Sequence, residues 1–126
     1  MQKAECRMQN DSSNPIVDKS FEFSVRIVNV YKYLCHEHKE YTLSKQLLRC
    51  GTSIGANVAE AQRGQSKADF YAKMSIALKE ANETEYWIRL LYRTEYITKS
   101  QFQSLCSDIS QLIGLLMAIC KSAASK

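Results

Sequence analysis

Residues 70–91 read FYAKMSIALKEANETEYWIRLL. Within them Phe70, Met74, Ala77, Ala81, Thr84, Ile88 and Leu91 alternate spacings of four and three. Residues so spaced lie on one side of an α-helix, because 3.6 residues complete a turn. A strict alternation averages 3.5 residues, the period of a left-handed coiled-coil seam. The stretch predicts a long helix packed along its whole length, which needs neighbours of similar length. Ser66-x-x-Asp69 opens it as an Asp variant of the capping box.

Working outward, three more segments show helical period. Asn14-Pro15 reads as a start, with Asn capping free amides and Pro at the first helical position. From there Val17, Phe21, Val28, Tyr31 and Cys35, flanked by Phe23, Ile27, Val30 and Leu34, form one wide apolar stripe. The second segment begins at Thr42 or Leu43 and repeats through Leu47, Cys50, Ile54, Val58 and Ala61, with Gly64 as its stop. Gly51, Gly55 and Ala59 line up as a smooth ridge. A glycine inside a helix costs about 1 kcal/mol relative to Ala, so the ridge implies close approach by a neighbouring helix. Thr98-x-x-Gln101 caps a fourth helix carrying Phe102, Leu105, Cys106, Ile109, Leu112, Ile113, Leu116 and Ile119. No strand signal appears. The expectation is an all-α, antiparallel up-down-up-down left-handed four-helix bundle over residues 14–123, with a tail at 1–13 and a frayed end at 124–126.

The 126 residues suit one domain with one core, and the single Pro and four Gly fit long helices. The start of the chain has no apolar signal region, and the most apolar run, Ile109 to Cys120, is shorter than the ~20 residues of a bilayer span. Five cysteines without a CxxC read as free, mostly buried thiols. The expected compartment is the cytoplasm, with no membrane contact.

Catalytic signals are missing. No Glu-x-x-His pair supports a di-iron site, and His36 and His38, two apart, point away from each other on a helix. Glu80 and Glu83 are expected to be solvated or at an interface. There is no phosphate-binding Gly loop and no nucleophile elbow. Neither an enzyme nor a cofactor or metal site is expected.

Two kinds of surface remain. Ile76, Trp87 and Leu90 lie off the third-helix seam and suggest self-association or a protein partner; alternatively Trp87 packs on a wide core edge. Lys45, Arg49 and Arg63 share a face of the second helix with Thr52 and Ala56. Lys79, Tyr86, Arg89 and Arg93 share the third-helix face opposite the seam. Arg beside Tyr suits phosphate contact and base stacking. The plainer reading is two solvated faces, with Glu85 pairing Arg89 and Glu60 beside Arg63. The formal charge of +4 is modest for one chain and gains weight only if copies assemble.

Residues 48–61, LRCGTSIGANVAEA, resemble the RxxxSIxANIAEG signature of a bacterial four-helix-bundle family, the 23S rRNA intervening-sequence or S23 ribosomal protein family. Phe70-Tyr71 and residues 77–87, ALKEANETEYW, resemble its third-helix pattern. The resemblance spans about residues 14–123, with Ala61 where the signature has Gly. It implies a four-helix bundle without catalytic residues, in which Gly51, Ser53, Gly55, Asn57 and Glu60 are structural, Asn57 and Glu60 satisfying polar groups between helices. A similar protein is the accessory factor of diversity-generating retroelements, a basic homopentamer that binds nucleic acid and a reverse transcriptase. The resemblance therefore implies a homopentamer and a possible RNA or DNA partner.

Overall fold

The computed structural model describes residues 14–124. The expected tail at 1–13 and the last two residues lie outside them. Four helices follow one another: α1 Pro15–His38, α2 Leu43–Ala61, α3 Lys67–Arg93 and α4 Lys99–Ala124. Among the described residues there is no strand. Each helix packs on the next, and α4 returns to α1. Cross-helix partners run in opposite order, Arg49 with Glu83 but Glu60 with Lys73, and Cys120 by Ser75 but Phe102 by Tyr92. That is the pattern of antiparallel neighbours.

The long seam of α3 is buried as its spacing predicts. Met74, Ala77, Ala81, Thr84, Ile88 and Leu91 are enclosed, and Phe70 is half-buried at the open end. They meet Leu47, Ile54 and Val58 of α2 and Leu105, Ile109 and Leu116 of α4 in one core. Thr84 is tolerated there because its hydroxyl donates to the Glu80 carbonyl at 2.8 Å.

The first helix is rotated from its expected phase. Its buried residues are Ile16, Ser20, Phe23, Ile27 and Leu34. Phe21, assigned to the stripe from spacing alone, is 64% exposed. The cause lies on α2. A Cβ on Gly51 would meet Ile27 Cγ1 at 2.9 Å, and one on Gly55 would meet the Ser20 backbone oxygen at 3.0 Å. The two missing side chains draw α1 in with Ser20 and Ile27 facing α2. Ala59 is exposed, so the ridge ends at Gly55.

Capping separates into motifs that act as read and others that do not. Thr98 and Gln101 exchange reciprocal bonds, Gln101 N to Thr98 Oγ1 at 3.1 Å and Thr98 N to Gln101 Oε1 at 2.7 Å. Ser66 Oγ accepts from Asp69 N at 3.1 Å, while Asp69 reaches back to Gln65 N. Asn14 does not cap with its side chain; it donates to Oε1 of Gln62, just past the end of α2, at 3.3 Å. Gly64 has no positive φ, so it is not a left-handed stop for α2. It suits a tight passage instead, since a Cβ there would sit 3.2 Å from Phe70 N. The left-handed positions are Lys39 (φ 54°) and Glu95 (φ 68°).

The start of α2 is held by a buried acid. The Glu40 carboxylate accepts from Thr42 N, Leu43 N and Ser44 N at 3.1, 2.9 and 2.7 Å. Burial alone would raise its pKa, but the three backbone N–H groups outweigh burial and hold the carboxyl below its usual range.

Two further features position the surfaces. The seam between α1 and α4 is the sparsest of the four. Arg26 Nη1 and Asp108 Oδ2 bridge it at 2.7 Å, above a groove floored by Phe23 and Leu112. Helix α4, at 26 residues, is long and apolar enough to cross a membrane, unlike the shorter run taken from sequence. Leu105, Ile109, Leu112, Leu116 and Cys120 bury one side of it in the bundle.

Candidate nucleic-acid interface

The two basic strips meet different fates. On α2, Arg49 is held from α3: it pairs with Glu83 and lies 3.5 Å from Glu80 Oε1, with Gln46 Oε1 at 3.3 Å. Glu83 also accepts from Trp87 Nε1 at 3.0 Å. That indole bond, with help from Arg49, keeps the Glu83 carboxyl below its ordinary pKa. Glu80 and Glu83 are thus a bracket for Arg49 across the α2–α3 seam. Lys45 is exposed in the first turn of α2, whereas Arg63, expected on the same helix face, is exposed in the turn two residues beyond the end of the helix.

On α3, Lys79, Arg89 and Arg93 are all exposed, and Tyr86 is 56% exposed among them. Among the described residues none of the three cations has a carboxylate within 4.0 Å, so Glu85 does not pair with Arg89. Glu60, expected beside Arg63, instead binds Lys73 Nζ across the seam at 2.7 Å. Glu60, which local spacing would spend on Arg63, is drawn to the α2–α3 seam, and Glu85 forms no ion pair among the described residues. The outward face of α3 keeps its positive charge.

The signature residues divide by role. Gly51 and Gly55 give α1 its close approach. Ser53 donates to Arg49 O at 2.7 Å and Asn57 to Ser53 O at 2.9 Å, so both bond within α2. Asn57 does not link helices; Glu60 does, through Lys73.

Of the off-seam residues, Ile76 is 41% exposed and Leu90 half-buried. Trp87 is half-buried against the core, its indole N–H engaged by Glu83. Spacing missed the exposed pair Phe21 and Val25 on α1. The signal was present: the adjacent phase Ile16, Ser20, Phe23, Ile27 is equally periodic, but it requires a serine inside.

Other chemistry is sparse. Among the described residues no three His, Cys, Asp or Glu side chains gather as a metal site. Burial pushes the Cys50 thiol up to about 11, making it a poor nucleophile. Cys35, Cys50, Cys106 and Cys120 are free thiols. A cavity of about 550 Å³ opens between the α2–α3 connection and the end of α4, over Phe70 and Ile119.

No curated protein matches the chain. A solved structure of a protein of unknown function from the S23 ribosomal protein family of Bacteroides thetaiotaomicron is 59% identical, with a TM-score of 0.84, over 86% of this chain and 96% of that one. The family model of the 23S rRNA-intervening sequence protein matches residues 12–118. The chain, with its LRCGTSIGANVAEA helix and four-helix bundle, belongs to the 23S rRNA-intervening sequence protein family.

Proposed function

We propose that the protein is a non-enzymatic, self-assembling four-helix bundle of the cytoplasm that binds RNA or DNA as an accessory factor. The carrying observation is the outward face of α3: Lys79, Arg89 and Arg93 exposed, unpaired with acids, and set around an exposed Tyr86. Guanidinium and ammonium groups bind phosphates, and the phenol ring can stack on a base. A homopentamer is the protein's assembled form. A ring needs two unlike complementary patches per copy, and the described residues expose apolar side chains on different helices: Phe21 with Val25 on α1, Ile76 on α3 beside the half-buried Leu90 and Trp87, and Met117 on α4. Each copy adds its +4 to a shared field.

The test is affinity for RNA and DNA as a function of salt. Binding should weaken steeply as salt rises, and reversing Lys79, Arg89 and Arg93 to Glu should flatten the slope by about three phosphate equivalents. Absence of binding at about 50 mM salt, where phosphate contacts are strongest, defeats the proposal. The same apolar patches support a second reading, a scaffold that binds a protein and no nucleic acid. It predicts that Phe21→Ser with Ile76→Ser removes a protein partner while nucleic-acid affinity is absent throughout.

A further inference from the structure

The α1–α2 and α3–α4 connections lie together at one end of the bundle. His38 ties them: its ring meets Tyr33 edge-on at 5.3 Å and Tyr96 of the other connection at 5.5 Å, and its Nε2 is 3.3 Å from the Tyr33 hydroxyl. His38 is exposed, and Tyr41 on the same connection is 52% exposed. The same end of the bundle carries six exposed cations, Lys32, Lys39, Lys45, Arg89, Arg93 and Lys99. None of the six forms an ion pair among the described residues. Of the three carboxylates at this end, Glu37 and Glu95 are exposed, and Glu40 is buried with its oxygens committed to α2 N–H groups.

We propose that this end binds a single-stranded nucleic acid, with His38 and Tyr41 stacking on unpaired bases and its exposed cations holding the phosphates. The proposal rests on the nucleic-acid reading above and assigns it a substrate class and a second contact region. Exposed rings within a cation field suit a strand whose base faces are open; in a duplex those faces are covered by neighbouring pairs. The excess of cations selects a polyanion.

The experiment is fluorescence anisotropy with the full chain and three labelled probes of equal length: oligo(dT), an abasic strand with the same phosphates, and a duplex. The wild type should bind oligo(dT) about 10-fold more tightly than the abasic strand, a difference in the range of base–aromatic stacking. His38→Ala with Tyr41→Ala should erase that difference and leave abasic affinity unchanged; Tyr41→Ala alone, at a residue with an open ring, should reduce it by roughly half on a logarithmic scale. Equal affinity for oligo(dT) and the abasic strand, duplex affinity as high as that for oligo(dT), or an undiminished difference in the variants overturns this proposal and leaves general phosphate binding in place. No binding of any probe at about 50 mM salt overturns both.

Discussion

The two ends of the bundle are made from the same four helices and each has one hydroxyl cap at a helix start, Ser66 or Thr98, but they differ in their other local devices. At the end formed by the α2–α3 connection, α3 starts on a conventional serine cap and no described residue has positive φ. Among its described residues the charges nearly balance: Lys19, Arg63, Lys67, Lys73 and Lys121 against Asp18, Glu22, Glu60 and Asp69. The opposite end holds both left-handed non-glycine residues, a buried carboxylate in place of a side-chain cap, and a tyrosine–histidine cluster. It carries twice as many cations as acids, and one acid is withdrawn from the surface. A left-handed non-glycine residue costs roughly 1–2 kcal/mol, so the second end is built at a local loss of stability. Such losses concentrate where a surface has work to do.

Four measurements would break or sharpen this contrast. The largest effect is expected for Glu40→Ala, which leaves three N–H groups at the buried start of α2 without their charged acceptor. We expect a loss of about 2–3 kcal/mol in urea unfolding at fixed protein concentration. Because the folded carboxyl is depressed, its contribution is present above the unfolded pKa of about 4.3 and fades as pH falls through the folded value. The gap between variant and wild type should therefore close in acid; a gap independent of pH would assign the loss to packing.

Ser66→Ala at the other end should cost about 1 kcal/mol, an ordinary cap loss. An equal loss at the two caps would remove the distinction between them. Glu95→Gly relieves a positive φ and deletes an acid, so the variant should gain up to about 1 kcal/mol and bind oligonucleotides more tightly. Gly64→Ala should show no such gain, since its φ is ordinary and the new Cβ would press on Phe70 N and Ala61 O, each at 3.2 Å. The smallest effect compares two lysines that both open helices, Lys99 of α4 and Lys67 of α3. Reversal to Glu favours both helix dipoles alike. Only Lys99→Glu should weaken oligonucleotide binding and lower its salt slope by about one phosphate equivalent; matched losses would spread the interface over the whole bundle.

What sequence disclosed and what it hid follow one physical rule. The α3 seam was legible because seven residues on one helix carry their own period. The Thr98–Gln101 box was legible because both partners lie within one turn. Phase and pairing were not, since they depend on another helix. Ser20 is inside and Phe21 outside because Gly51 and Gly55, some thirty residues away, leave room for α1 in that rotation. Arg49 looked like a phosphate ligand until Glu80 and Glu83 approached from α3. The exposure of Lys79, Arg89 and Arg93 was readable from the seam. That Glu85 leaves Arg89 unpaired was not, because local spacing offered the pair and the fold declined it. Glu40 fits no familiar cap spacing, and its role appears only when the chain turns through Lys39.

The sparse α1–α4 seam has a mechanical consequence. Three seams are fastened by interlocked side chains, and two of them also by missing side chains or ion pairs across the helices. The fourth is closed by Arg26 and Asp108, both partly exposed to solvent. The bundle is thus a curled sheet of helices with a clasp along one edge; dissolved salt weakens the exposed ion pairs of the α2–α3 seam as well, but this edge has the least packing behind its pair. As ionic strength rises, backbone amides of α1 and α4 along that edge should be the first to exchange with solvent, and Phe23 and Leu112 the first core residues to meet water.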